Sequence, residues 1–148
     1  MTNFAIPMLA NREDILKFIP QRRPIVMVHQ LASADDDSAT TQFDIEPDNV
    51  FIDNGSFAEP GMVENIAQTA AVHIGYQCSR KNIPIPIGYI AAIKDLKVKG
   101  LPLVNSTITT SVKVVNKVLD ITVVQGMITQ GSETLCTCEM RIFAKLQP

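Results

Sequence analysis

The sequence predicts a single α+β domain in which one long helix is wrapped by a curved antiparallel sheet. The chain has 148 residues, the usual length of one domain, and 46% of them are hydrophobic, enough for a sizeable core. The stretch from Gly61 to Ser79 is the one long helical candidate, and it is apolar nearly all round, as buried helices are. The chain after Pro86 is rich in Val, Ile and Thr, which is typical of strands.

Before the long helix, the pattern predicts one short helix and two strands. Apolar and charged side chains recur with helical spacing, Asn11 is a suitable N-cap for them, and Pro20 ends the segment. Apolar runs indicate the strands, and three consecutive aspartates between them indicate a solvated turn. In order, these elements are a helix from Asn11 to Ile19, a strand from Pro24 to Leu31, a turn at 35–37 and a strand from Thr40 to Ile45.

The remaining connections and strands follow from turn signals. Val50 to Pro60 is irregular, with Asp53-Asn54-Gly55-Ser56 as a turn, and Lys81 to Pro86 connects the long helix to the β-rich part. Breaks that contain Gly, Pro or Asn divide this part into four strands. The four strands are expected at Ile87 to Val98, Thr107 to Val115, Ile121 to Thr129 and Thr134 to Ala144.

Composition excludes several classes of function. A net charge of −2 and a pI near 5.6 argue against nucleic-acid binding. No run of about 18 apolar residues predicts a membrane span. The first ten residues lack the pattern of a secretory signal, so we expect a cytoplasmic protein with three reduced cysteines. The cysteines and histidines have no zinc-ligand spacing, so no metal is expected. Charged residues make up only 19%, which indicates a surface partly covered by another subunit.

Three stretches together resemble the β-hydroxyacyl-(acyl carrier protein) dehydratases, which have the hot-dog fold. Residues 16–28 read LKFIPQRRPIVMV and are similar to the family's L-P-H-R-x-P-F-L-L-V-D motif. Glu64-Asn65-Ile66-Ala67-Gln68 looks like the E-A-M-A-Q of the family's central helix. Tyr89 to Ile108 parallels the stretch from F-A-G-I-D through R-P-V-x-P-G-D, with Asn105 at the glycine of the P-G-D turn. Asparagine also tolerates the positive φ of such a turn.

The resemblance covers most of residues 1–148, which we treat as one hot-dog domain. It implies an obligate dimer with active sites at the subunit interface. It also implies an acyl substrate carried on the phosphopantetheine of an acyl carrier protein or of CoA, with no cofactor and no metal. The chain departs from the family at one place. Where the family has its catalytic histidine in H-F-P-G-x-P-x-x-P-G, this chain has DNGSFAEPG at 53–61 and no histidine.

Dehydration of a 3-hydroxyacyl thioester needs a base for the α-proton, an acid for the leaving hydroxyl and donors for the enolate-like oxygen. Glu64 is the candidate acid or base, because an apolar helix would desolvate it. Gln68 lies at i+4, on the face of Glu64, where the resemblance implies that it orients the carboxylate or contacts substrate. The backbone amides of Gly61 and Met62, at the expected helix start, are candidate oxyanion donors.

The loop before the helix supplies the remaining candidates. Asn54 and Ser56 are candidate hydrogen-bond donors to substrate, and Phe57 is a candidate substrate contact. Asp53 or Glu59 is a candidate base in place of the missing histidine.

The two histidines, His29 and His73, are expected to have roles other than catalysis. His73 is nine residues after Glu64, about half a helical turn out of phase, so it is expected to pack or to lie in an interface. His29 is expected to be a polar residue at a strand end.

Three functions remain open at this point. The first is a 3-hydroxyacyl-thioester dehydratase of fatty-acid, polyketide or aryl-polyene-like lipid synthesis, which forms a trans-2-enoyl thioester. The second is a silent or half-site subunit that pairs with a histidine-bearing relative. The third is a hot-dog thioesterase with Glu64 as general base or nucleophile. The expected assembly is a homodimer, with a higher oligomer or a heterodimer as alternatives.

Overall fold

The computed structural model describes residues 8–145 and confirms the expected α+β architecture. One helix, α1 (Glu59–Arg80), packs against a six-stranded antiparallel sheet and contacts every strand of it. The sheet order is β1-β2-β6-β7-β8-β5, and a separate two-stranded hairpin, β3-β4, precedes the helix. The strands are β1 (Gln30–Ala34), β2 (Ser38–Asp44), β3 (Ile52–Asp53), β4 (Ser56–Phe57), β5 (Ile87–Val98), β6 (Thr107–Val118), β7 (Ile121–Gln130) and β8 (Glu133–Lys145).

The four strands after the helix form close to where the sequence predicts them, because long alternating runs of Val, Ile and Thr are bounded by turn residues. β5 has the expected bounds, and β6 continues three residues further, to Val118. The turn before β6 contains Asn105 with φ of +67°, so the expectation that this asparagine replaces a turn glycine is confirmed.

Two N-terminal expectations are wrong in extent. The segment expected to be a helix from Asn11 to Ile19 forms only a 3₁₀ turn, Asp14–Lys17. The N-cap residue of that turn is Glu13 and not Asn11, although the Asn11 side-chain oxygen accepts from the backbone N–H of Asp14 at 2.9 Å. The segment expected to be a strand from Pro24 to Leu31 is irregular until Gln30, although Met27 and Val28 are buried.

The irregular segment at Met27 is held by helix side chains instead of by a neighbouring strand. The backbone N–H of Met27 donates to Gln68 Oε1 at 2.6 Å, and Asn65 Nδ2 donates to the Met27 carbonyl at 2.7 Å. Thr110 of β6 donates to Asn65 Oδ1 at 2.5 Å. A chain of buried hydrogen bonds thus joins the sheet, the helix and the N-terminal segment, and it satisfies backbone groups that would otherwise be buried without partners.

The helix begins two residues earlier than expected, at Glu59, so Gly61 lies within its first turn. Gly75, near the other end, allows a close approach of the N-terminal segment. A Cβ at this position would overlap the backbone oxygen of Phe18, so no larger residue fits without moving the main chain. The helix and residues 18–21 therefore lie close enough to share one cavity wall.

Candidate functional site

A cavity of about 250 Å³ runs along one stripe of α1. The residues that α1 contributes lie at positions i, i+3, i+4, i+7 and i+10, so they share one face of the helix. They are Glu64, Ala67, Gln68, Ala71 and Ile74. The alanines leave room beside the helix, and the wall they form is apolar apart from Glu64 and Gln68. Such a concave, largely apolar cavity with a few polar groups is typical of a small-ligand site.

The opposite walls come from three other parts of the chain. The N-terminal segment contributes Phe18, Pro20 and Gln21. Strand β5 contributes Tyr89 and Ile90, and strand β8 contributes Ile142. β5 is an edge strand of the sheet, and Tyr89 on it is 56% exposed. The cavity therefore lies beside an open sheet edge.

Glu64 and Gln68 are brought together as the i+4 spacing predicts. Gln68 Nε2 donates to Glu64 Oε1 at 2.9 Å and to the carbonyl of Ile25 at 2.9 Å, and Gln68 Oε1 accepts from Met27 N–H. Gln68 is buried and all of its hydrogen-bonding groups are engaged, so its orientation is set by the backbone of residues 25–27. It holds one oxygen of the half-buried Glu64 carboxylate, and Glu64 itself lines the cavity.

The amides of Gly61 and Met62, which were expected to bind the thioester oxygen, form hydrogen bonds within the helix instead. The amides of Gly61 and Met62 both donate to the carbonyl of Ala58, at 2.9 and 3.2 Å, because the helix begins at Glu59. Gly61 is required for packing, since a Cβ there would lie 2.6 Å from the ring of Phe57. Met62 and Phe57 are fully buried in the core and do not line the cavity.

The expected loop residues do not approach Glu64 within the chain. Asp53, Asn54 and Glu59 are exposed, Ser56 is half-buried, and none of them lines the cavity. Asn54 has φ of +51° and precedes Gly55 with φ of +78°, so these two residues form the tight turn of the β3-β4 hairpin. Asparagine adopts a positive φ readily, so the conformation of this turn explains why residue 54 is an asparagine.

Neither histidine lines the cavity. His73 is buried, and its Nε2 lies 2.8 Å from the carbonyl of Asp35, so it packs against the β1-β2 hairpin. His29 lies in a second cleft, where its ring contacts Phe43 and its Nδ1 accepts from the backbone N–H of Asp44 at 3.0 Å. Burial and the neighbouring Arg12 guanidinium lower the pKa of His29 to about 4.

The low pKa of His29 predicts an acid-sensitive fold. In the unfolded chain the imidazole takes up a proton below about pH 6.5, whereas in the folded chain it stays neutral until about pH 4. His29 therefore lowers the free energy of unfolding as pH falls through this window, by up to about 3 kcal/mol. Urea unfolding of wild type and His29→Gln between pH 7.5 and 4 measures this, and Gln keeps an acceptor for Asp44 N–H. Parallel curves for the two proteins would contradict it.

Metal and thiol chemistry depend on how the cysteines and the acidic side chains are arranged in the part of the chain that the structure describes. Among residues 8–145, no three His, Cys, Asp or Glu side chains converge so that they could hold a metal ion. Cys136 and Cys138 are buried on β8, and burial raises the pKa of each thiol to about 11, which leaves little nucleophilic thiolate. Within the described part of the chain, no helix is long and apolar enough to cross a membrane.

Sequence reasoning missed most of the cavity wall. Phe18, Gln21 and Tyr89 line the cavity but were not among the candidate residues. Gln21 lies within the stretch that resembles the dehydratases, yet its residue type alone signals no chemistry. Tyr89 and Ile90 belong to a strand whose pattern predicts only β structure. Their place at the site follows from the sheet order, which puts β5 at the edge.

Comparison with solved structures places the chain among hot-dog proteins. The dehydratase heterocomplex ApeI:P from Xenorhabdus doucetiae matches with a TM-score of 0.84 at 14% identity, covering 90% of this chain and 91% of that chain. PH1136, an uncharacterized protein from Pyrococcus horikoshii, matches with a TM-score of 0.68 at 8% identity, covering 88% of this chain and 93% of that chain. A hypothetical thioesterase with coenzyme A from Streptococcus pneumoniae matches with a TM-score of 0.64 at 10% identity, covering 79% of this chain and 85% of that chain. At these identities the likeness shows the fold.

The family is shown by a different comparison. No curated protein matches the sequence. The family profile described as ApeP-like, ApeP dehydratase, matches residues 13–148, which includes the 3₁₀ turn, α1 and every strand. The chain therefore belongs to the ApeP-like dehydratase family.

Proposed function

We propose that this chain takes part in the dehydration of a 3-hydroxyacyl thioester to a trans-2-enoyl thioester, with Glu64 as an acid or base. The observation that carries the proposal is that the Glu64 carboxylate accepts a hydrogen bond from Gln68 at one oxygen and that Glu64 lines a largely apolar cavity of about 250 Å³. The apolar stripe beside it suits an acyl chain. The substrate would be carried on the phosphopantetheine of an acyl carrier protein or CoA, in fatty-acid or polyketide-like lipid synthesis.

The reaction needs two proton transfers. A base removes a proton from C2, the C3–O bond breaks as the C2–C3 double bond forms, and the hydroxyl leaves as water after it receives a proton. Glu64 can serve as one of these groups because it is ionisable and half-buried in apolar surroundings. Both histidines of the chain are engaged elsewhere. The other ionisable side chain in the cavity wall is Tyr89, which is 56% exposed at the sheet edge. We therefore propose that the second group comes from outside this cavity's own walls.

A second subunit along β5 is the source we propose for that group. β5 is a sheet edge, so its outer backbone groups are free to pair with another strand. Ile90, Ile93 and Leu96 on it are each about 40% exposed, and Tyr89 and Ile90 also form part of the cavity wall. A solved neighbour, ApeI:P, is a dehydratase heterocomplex. A heterocomplex favours a different chain as the partner over a second copy of this one. We propose that this partner is a relative that bears the family's histidine, and a homodimer is the alternative.

The test is an assay of the purified protein with a 3-hydroxyacyl-pantetheine thioester, alone and mixed with a histidine-bearing hot-dog dehydratase from the same organism. We expect loss of one water with the thioester intact, and a higher rate in the mixture if the site is shared. Activity of the chain alone that the mixture does not raise would favour the homodimer. Release of free thiol without enoyl product would replace dehydration by thioester hydrolysis. No reaction in either preparation would refute the proposal.

An assembly through β5 predicts that a charge on this edge separates the subunits. Ile93→Asp places a carboxylate where a partner strand would bury it, at a cost of about 3 kcal/mol, so dissociation is expected to be about 100-fold more favourable. Light scattering during size-exclusion chromatography measures the mass. The matched control is Leu119→Asp, an exposed apolar residue in the β6-β7 turn, which is expected to leave the mass unchanged. The same mass for both variants would place the interface elsewhere.

A further inference from the structure

The proposed reaction requires a donor to the thioester oxygen, and the helix start does not offer one. Negative charge grows on the carbonyl oxygen as the proton leaves C2, and a preorganised N–H or O–H lowers the barrier. The amides of Gly61 and Met62 both donate to Ala58, within the first turn of α1. Within this chain, the polar side chains that line the Glu64 cavity are the nearest alternative donors.

Four such side chains line the cavity, namely Gln21, Glu64, Gln68 and Tyr89. Glu64 is assigned to proton transfer, and Gln68 has both N–H groups engaged, one with Glu64 and one with Ile25. Tyr89 also has a hydroxyl donor, but it is 56% exposed at the sheet edge, where water competes for that donor. Gln21 is the half-buried cavity side chain with a donor to spare.

The two ends of the Gln21 carboxamide have different surroundings. Its Oε1 is buried and has no hydrogen-bond partner among residues 8–145, which destabilises a fold unless it serves another purpose. Its Nε2 is not among the buried unpartnered atoms and forms no hydrogen bond with a described residue. Because the side chain lines the cavity and its oxygen is buried, the Nε2 end is the one available to a ligand.

The backbone around Gln21 is held in place. Arg22 Nη1 donates to the carbonyls of Ile19 and Gln21, each at 2.8 Å, and Pro20 precedes Gln21 in the same cavity wall. We propose that Gln21 is a catalytic residue whose side-chain N–H donates to the thioester carbonyl oxygen as charge develops there. This inference rests on the proposed function and adds to it the group that polarises the substrate.

The first test is kinetic. Gln21→Met keeps the length of the side chain and removes the donor, so kcat for the 3-hydroxyacyl thioester is expected to fall about 100-fold while KM changes little. The matched control, Gln125→Met, replaces an exposed glutamine of β7 outside the cavity and is expected to react like wild type. The Tm of Gln21→Met is expected to rise by about 2–4 °C, because the variant removes a buried oxygen without a partner.

The second test is spectroscopic and needs no turnover. The probe is a saturated acyl-pantetheine thioester with a ¹³C-labelled carbonyl, bound to wild type and to Gln21→Met. We expect the carbonyl stretching frequency to be lower in wild type and to return towards the solution value in the variant.

Each combination of results decides the matter. An unchanged kcat, or a lower kcat with the same carbonyl frequency and a lower Tm, would show that Gln21 is structural and overturn the inference. A carbonyl shift that depends on Gln21 in a protein that does not dehydrate would refute the proposed reaction and leave Gln21 as a thioester-binding residue. Dehydration without any such shift would refute the role of Gln21 alone. A wild type that neither dehydrates nor binds the thioester would refute both.

Discussion

Glu64→Gln is expected to lower the dehydration rate by at least 100-fold while the protein remains folded. The variant removes the ionisable group, and acid-base catalysis by one side chain contributes about 10²–10⁴ in rate. The fold is expected to persist because the new amide oxygen can still accept the hydrogen bond from Gln68 Nε2. The measurement is the initial rate of enoyl-thioester formation, together with a thermal unfolding curve for each protein.

Glu133→Gln is the matched control, since it removes the same charge from an exposed residue at the start of β8. Its activity is expected to equal that of wild type. If Glu64→Gln keeps more than a tenth of the wild-type rate at an unchanged Tm, Glu64 is not the acid or base. Asp53 and Glu59, the two candidate bases that the sequence also suggested, would then be the next residues to replace.

Gln68→Leu is expected to lower both stability and activity. The substitution leaves the buried N–H of Met27 and the carbonyl of Ile25 without their side-chain partner, and each such loss costs about 1–3 kcal/mol. We expect a total of about 2–4 kcal/mol, which corresponds to about 5–15 °C in Tm for a domain of this size. Activity is expected to fall as well, because the Glu64 carboxylate loses the hydrogen bond that orients it.

The control for Gln68→Leu is Gln125→Leu, on the exposed side of β7, where no more than a small change in Tm is expected. A comparison with Asn65→Leu separates the two effects. Asn65 also binds the backbone of Met27 but does not contact Glu64, so its loss is expected to destabilise the fold with a smaller effect on kcat. Equal loss of kcat in both variants after correction for unfolding would show that Gln68 acts only through the fold.

The sheet was predictable where local pattern and tertiary environment agree. β5 to β8 have continuous β-branched runs bounded by turn residues, and the structure keeps these runs as strands. α1 was predictable because its length and all-round apolar character suit only a buried helix. Its first residue was misplaced, since Pro60 looked like the end of a loop and is in fact tolerated in the first helical turn.

The N-terminal segment was not predictable for a physical reason. The apolar run at 25–28 reads as a strand, but within residues 8–145 no strand pairs with it to complete a ladder. Its backbone groups are satisfied instead by the side chains of Asn65 and Gln68, about forty residues further along the chain. The local pattern indicates that Met27 and Val28 are buried. It does not indicate which distant side chains will form hydrogen bonds with the backbone of this segment.

The candidate site, like the fold, was predictable from the sequence only in part. The sequence by itself determined that Glu64 and Gln68 share a helix face, because a separation of four residues is a property of the helix alone. It also determined that the stretch at 53–61, where the family has its catalytic histidine, contains none. Only the tertiary structure decided that Gln21, Phe18 and Tyr89 enclose Glu64 in a cavity and that Met62 and Phe57 lie in the core. These outcomes depend on the order of strands in the sheet and on the close approach at Gly75, which are contacts between residues far apart in the chain.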